Sequence, residues 1–145
     1  MEIHCSVDLE WNTSESAGRI KMPAGTIAYA DSEPADPRRR DPSPETLLVA
    51  AISSSYTITL SNLLQESRLP RTRIAVRADG AIAGGHERPQ FTRLRVSLTI
   101  HGADVLRRDA YEKAAVTARD ECPIGWSIRG NVVYVVGEVT LLRPT

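Results

Sequence analysis

The chain has 145 residues, its 18 Lys and Arg are balanced by 18 Asp and Glu, and 41% of its residues are hydrophobic. That length fits a single domain over residues 1–145, small enough that burial per residue is limited and a homodimer would help it. The charge balance leaves no net field to attract nucleic acid or an anionic membrane surface, so neither is expected as a partner.

The start, Met1-Glu2-Ile3-His4-Cys5, has neither a basic nor an apolar stretch of the kind that directs export, and no later apolar run is read as reaching the roughly 20 residues that cross a bilayer. A cytoplasmic protein is predicted. Cys5 and Cys122 stand far apart in the sequence, and in a reducing compartment sulfur has a chemical role rather than a structural disulfide. Residues 3–11 alternate, with Ile3, Cys5, Val7, Leu9 and Trp11 on one face and His4, Ser6, Asp8 and Glu10 on the other. This is the period of a half-buried strand, with Cys5 facing inward as a small core hydrophobe. A polar turn over residues 12–16 then leads to short strands over 18–22 and 26–30, hinged on Pro23-Ala24-Gly25, which predicts a three-stranded meander. Residues 31–42 carry Pro34, Pro37 and Pro42 among charges that include Arg38-Arg39-Arg40, and predict an exposed, mobile loop.

Ser43 is suited to cap a helix, with Pro44 at its first position and Glu45 in its first turn, where the helix dipole favours a carboxylate. The helix runs to about Ser67, and its middle, Leu48 to Leu60, is apolar or small nearly all round, as in a helix surrounded by other elements. Alternation at Ile74, Val76 and Ala78, and again at Leu94, Val96, Leu98 and Ile100, predicts a long hairpin joined through residues 80–90. Asp104 can cap a second helix ending near Glu121, on which Tyr111, Ala115, Ala118 and Cys122 fall along one stripe. Pro123 is read as stopping it, and residues 132–142 as a last strand. The order predicts an α+β domain without βαβ alternation.

Two segments concentrate the chemistry. One is Ser43-Pro44-Glu45-Thr46-Leu47, an Ala-rich turn, then Ser53-Ser54-Ser55-Tyr56; the other is Cys122-Pro123-Ile124 followed by Arg129-Gly130-Asn131. With the strands between Trp11 and Val139 they resemble the OsmC/Ohr family (osmotically inducible protein C and organic hydroperoxide resistance protein), whose members read Ser/Asn-Pro-Glu-x-Leu, an Ala-rich turn and Ser/Ala-Cys-aromatic. The resemblance implies an antiparallel sheet wrapped around two central helices in an intertwined homodimer. It also implies a thiol peroxidase, peroxiredoxin-like in chemistry, that reduces organic hydroperoxides in the oxidative or osmotic stress response without a cofactor. In that pattern Ser55 takes the place of the peroxidatic Cys and Cys122 matches the resolving Cys. Arg19, in a Gly-Arg-hydrophobic strand, matches the arginine that stabilises the thiolate, Glu45 the carboxylate paired with it, and Tyr56 the aromatic of the substrate pocket.

The family's cycle needs a thiolate that becomes a sulfenic acid and a second thiol that condenses with it. A serine oxygen has no such redox ladder, so Ser55 predicts that peroxidase activity is absent or impaired. The alternative reading is a non-catalytic module that binds a hydrophobic small molecule in a pocket at the dimer interface. Bland readings also stand beside the site residues: Glu45 as a helix-dipole partner, Arg19 as a solvated edge residue, Cys122 as a core hydrophobe. His4, His86 and His101 have no metal-ligand spacing, so no metal is expected, and Ser55 lacks the Gly-x-Ser-x-Gly elbow of a hydrolase.

Overall fold

The computed structural model of the protein describes residues 1–31, 38, 40–84 and 88–145. The elements follow as β1 (Asp8–Asn12), β2 (Ala17–Met22), β3 (Gly25–Ala30), α1 (Pro44–Glu66), β4 (Arg73–Ala83), β5 (Gln90–His101), a 3-10 turn (Val105–Arg107), α2 (Arg108–Glu121), α3 (Pro123–Ile128) and β6 (Val133–Leu142). Two three-stranded sheets result, β1-β2-β3 and β4-β5-β6, and the α+β class stands. By its internal contacts the chain divides into two units, Met1–Leu48 and Val49–Thr145, with one sheet in each.

In the first unit the predicted meander forms. Asn12 Oδ1 accepts from the amides of Ser14 and Glu15 at 3.0 and 3.2 Å, an Asx turn that reverses the chain between β1 and β2. Gly18 lies opposite both Trp11 and Tyr29, whose rings approach to 5.7 Å between centroids. A Cβ at Gly18 would overlap the Tyr29 ring, so only glycine lets these two aromatics meet across the middle strand. The first strand is shorter than its alternation predicts, and Cys5, expected to face inward, lies outside it and is exposed. The reason is a missing partner: Asp8 pairs with Lys21, β2 ends at Met22, and the residues ahead of Asp8 run past the end of the ladder. The expected loop over 31–42 falls largely outside the described residues, as does His86.

α1 begins where the sequence places it, with Ser43 Oγ accepting from the Thr46 amide at 3.2 Å. It ends in a Schellman closure, the Leu69 amide donating to the Leu64 carbonyl at 2.9 Å while Arg68 takes the left-handed conformation (φ 54°). Two expectations for this helix need correction. It is not surrounded: Ile52, Tyr56, Leu60 and Leu64 form a buried stripe, whereas Leu48 and Ile58 are exposed. Nor is it too short or too polar to cross a membrane, since by length and composition alone it passes that test, as the core helix of a soluble domain also does.

The long hairpin β4–β5 is antiparallel as predicted, with tighter ends, because pairing reaches Ala83 and Gln90. The last strand departs from expectation. β6 pairs with β5 in parallel, so the sheet is mixed, and the segment through α2 and α3 is a βαβ crossover that the order of elements alone did not reveal. A register shift between Val96 and Leu98 leaves Gly137 and Glu138 of β6 against Ser97, and Gly137 makes room there for the Arg95 side chain. Pro123 was expected to stop the second helix. Instead Cys122 turns to an extended conformation (ψ 132°) that ends α2, and Pro123 opens α3 as its first residue. The core of this unit joins Tyr56, Leu60 and Leu64 of α1, Val96, Leu98 and Ile100 of β5, and Tyr111, Ala115, Ala118 and Cys122 of the α2 stripe.

Candidate functional site

The side chains singled out from the sequence fall into two groups. Ser55, Tyr56 and Cys122 belong to the second unit, and Arg19 and Glu45 to the first. Ser55 sits one residue before Tyr56 on α1 and is partly buried. Its neighbours along the helix turn their hydroxyls back onto the helix: Ser53 to the Val49 carbonyl at 2.8 Å, Ser54 to Ala51 at 3.0 Å, Thr57 to Ser53 at 2.7 Å and Thr59 to Ser55 at 3.0 Å. Among the described residues the Ser55 hydroxyl makes no such bond, so in this polar run it alone is left for another partner.

Cys122 is fully buried and closes the α2 stripe, as the spacing predicts. Its corner geometry is fixed from both sides, its amide donating to the Ala118 carbonyl and its carbonyl accepting from the Trp126 amide, each at 3.0 Å. The sulfur contacts the Arg119 carbonyl at 3.8 Å. Gly125 makes space for it, since a Cβ there would stand 2.6 Å from Sγ and 3.1 Å from the Tyr134 ring. Tyr56 packs edge-on to Tyr134 at 6.4 Å and donates its hydroxyl to the Ala115 carbonyl at 2.9 Å. The thiol is therefore enclosed by two phenols and two turns of helix. Ser55 lies outside the cluster of fully buried core residues that contains Tyr56 and Cys122.

Burial pushes the Tyr56 phenol well above its ordinary pKa, the Cys122 thiol adds to the effect and the Arg119 guanidinium opposes it. Tyr134 is raised by the same burial, then by Cys122 and Tyr56, again against Arg119. The Cys122 sulfur is close enough to act on Tyr134 Oη, yet their contact falls short of hydrogen-bond geometry, and the buried Oη is left without a partner. Sulfur is in any case a weak acceptor. Tyr134 was not singled out from the sequence, although a lone phenol in the run Val132-Val133-Tyr134-Val135-Val136 is the signal that could have found it.

In the first unit Arg19 lies on β2 opposite Glu10 and Ala28, exposed, on the face away from Trp11 and Tyr29. Glu45 is partly buried in the first turn of α1, with one carboxylate oxygen, Oε2, buried and unpartnered. Among the described residues no three His, Cys, Asp or Glu side chains gather into a metal-binding group.

The fold is shared with several solved structures. An OsmC-like protein from Mycoplasma pneumoniae is 13% identical, with 98% of this chain and 99% of that one covered at a TM-score of 0.81. An OsmC-like protein of unknown function from Vibrio cholerae is 19% identical, with 94% and 100% covered at 0.76. A protein from Legionella pneumophila described as an organic hydroperoxide resistance protein is 17% identical, with 96% and 99% covered at 0.68. No curated protein matches the chain. The model of OsmC-like proteins matches residues 36–136, a stretch that takes in α1, both strands of the hairpin, the Cys122 corner and the start of the Tyr134 strand. The chain belongs to the OsmC-like protein family.

Proposed function

We propose that this protein descends from thiol peroxidases for organic hydroperoxides and has an alcohol, Ser55, at the attacking position, so that peroxide turnover is absent or severely impaired. The observation that carries this reading is Ser55 itself, a partly buried residue whose hydroxyl, unlike those of its Ser and Thr neighbours, is not bonded back onto α1. In a complete cycle a thiolate attacks the distal peroxide oxygen, the O–O bond breaks, the alcohol leaves with a proton and sulfur becomes a sulfenic acid. A second thiol then displaces water to give a disulfide, which an external dithiol reduces. With Ser55 at the first position no sulfur is there to be oxidised. Cys5 is exposed in the first unit and Cys122 buried in the second, so the two thiols have unlike surroundings and the resolving sulfur has no established partner.

Several features support the inherited site. The unpartnered Oε2 of Glu45 is the kind of acceptor a guanidinium satisfies, in favour of its pairing with Arg19. Tyr56, with its hydroxyl spent on Ala115, serves as an apolar wall rather than as a donor to substrate. A homodimer is supported by the apolar face of the first sheet, where Leu9, Trp11, Met22 and Ile27 are exposed together. A reducing, cytoplasmic setting suits two free cysteines. The second reading, a binding module for a hydrophobic small molecule, is favoured by the exposed Leu48 and Ile58 of α1.

The test is turnover of cumene hydroperoxide with a dithiol as reductant. The protein as it stands should consume peroxide no faster than buffer and dithiol alone, and Ser55→Cys should raise the rate by about 100-fold or more. Brisk turnover by the unmodified chain would refute the proposal. An inactive Ser55→Cys variant that folds normally would leave the binding module as the reading to pursue.

A further inference from the structure

Three polar groups share the space around the Cys122 sulfur, and two of them are already committed. The Tyr56 hydroxyl donates to the Ala115 carbonyl at 2.9 Å, and the Arg119 carbonyl accepts from the thiol at 3.8 Å, within reach of a weak S–H donor. The third is Tyr134 Oη, which is buried and has no partner. A buried hydroxyl left unsatisfied is uncommon and calls for an explanation.

The neighbouring sulfur supplies one. A neutral thiol is a weak acceptor, whereas a thiolate is a charged one that draws a hydrogen bond strongly. Burial holds the Tyr134 phenol protonated, so it remains a donor well into the alkaline range. The approach is built into the corner: a Cβ at Gly125 would stand 2.6 Å from Sγ and 3.1 Å from the Tyr134 ring, so glycine is what lets ring and sulfur close on each other. Little else there favours a negative charge. Arg119 is bonded through Nε and Nη2 to Asp120 Oδ1 at 2.9 Å, and the sulfur stands at the C-terminal end of α2, where the helix dipole opposes an anion.

We propose that Tyr134 is the hydrogen-bond donor to the Cys122 thiolate, so that the resolving half of the inherited site is intact although the attacking half has lost its sulfur. This rests on the reading of Cys122 as the resolving thiol. In that step Cys122 gives its proton to solvent and the thiolate attacks a sulfenic sulfur. The S–S bond forms, the S–O bond breaks, and the hydroxide that leaves takes up a proton as water. A donor on the sulfur raises the share of thiolate present at a given pH.

The experiment follows the 13Cβ signals of labelled cysteine in the intact protein by NMR as pH is raised. Tyr134→Phe should lower the ratio of Cys122 thiolate to thiol about tenfold at a given pH. Tyr56→Phe, which removes a hydroxyl already spent on Ala115, should leave that ratio within about twofold. In the unmodified protein the Tyr134 hydroxyl proton should move downfield in step with the Cys122 signal, a readout that needs no variant to fold. In the Ser55→Cys background, a single equivalent of cumene hydroperoxide should give sulfenic acid at the same rate with or without Tyr134→Phe, but its lifetime should lengthen about tenfold in the variant. An unchanged thiolate ratio or sulfenic lifetime in Tyr134→Phe, an equal fall in Tyr56→Phe, or a hydroxyl proton that stays still would overturn the proposal. If no sulfenic acid forms, the peroxidase reading fails and the titration still decides the role of Tyr134.

Discussion

Tyr56 and Tyr134 flank the Cys122 thiol with their phenols held neutral by burial, and this makes the folded state sensitive to alkali. In the unfolded chain both phenols ionise from about pH 10, whereas in the folded chain both pKa values lie higher. The sign follows directly: their contribution is fully present below pH 10 and is lost as pH rises above it, because only the unfolded chain releases the protons. Tyr56, the more deeply buried, should remove up to about 1.4 kcal/mol of stability per pH unit above pH 10, and Tyr134, which solvent screens in part, a smaller share. Urea denaturation between pH 8 and about 11 checks this, since Tyr134→Phe should lessen the decline by one tyrosine's share. A variant with an unchanged slope would show that Tyr134 does not titrate with folding. Gly125 belongs to the same residue-scale design, because any side chain there would press on the sulfur and the Tyr134 ring together.

Among the elements, α1 was the most legible in the sequence, and its two ends show why. Ser43-Pro44-Glu45 specifies the start through local chemistry, and the structure places the cap there. The end is marked less clearly, because Arg68 occupies the left-handed position where glycine is the usual signal. Arg68→Gly should therefore raise stability by about 1 kcal/mol, measured by urea denaturation, since it relieves the Cβ penalty and keeps the Leu69 to Leu64 closure. A loss of stability would mean that the arginine side chain matters more than its backbone. The buried face of α2 was also readable, because Tyr111, Ala115, Ala118 and Cys122 repeat with the helix period. What sequence periodicity misses is partnership. The alternation of residues 3–7 looked like a strand that has no neighbour, the all-round apolarity of α1 did not say which faces would be covered, and the strand over Val133–Leu142 carried nothing to mark it as parallel to β5. At the candidate site the helix motifs were legible at Ser55, Tyr56 and Cys122, while Tyr134 and Gly125 enter only through the crossover that returns the chain beside the thiol.

At the scale of the whole molecule, four of the exposed apolar residues gather on one surface. Leu9, Trp11, Met22 and Ile27 share one face of the first sheet, which in a lone chain would expose a patch that water disfavours. Sedimentation should find a dimer at micromolar concentration, and Trp11→Glu should shift it toward monomer by at least tenfold in dissociation constant. A monomeric parent protein would count against that association. The position of β5 has another consequence. As the middle strand of the mixed sheet, it has ladder partners on both sides, β4 antiparallel and β6 parallel. Successive amides face opposite neighbours, so peeling either edge strand frees only every second one, and when the protein is placed in deuterated water the β5 amides taken together should exchange more slowly than those of β4 and β6, which fray from the edges.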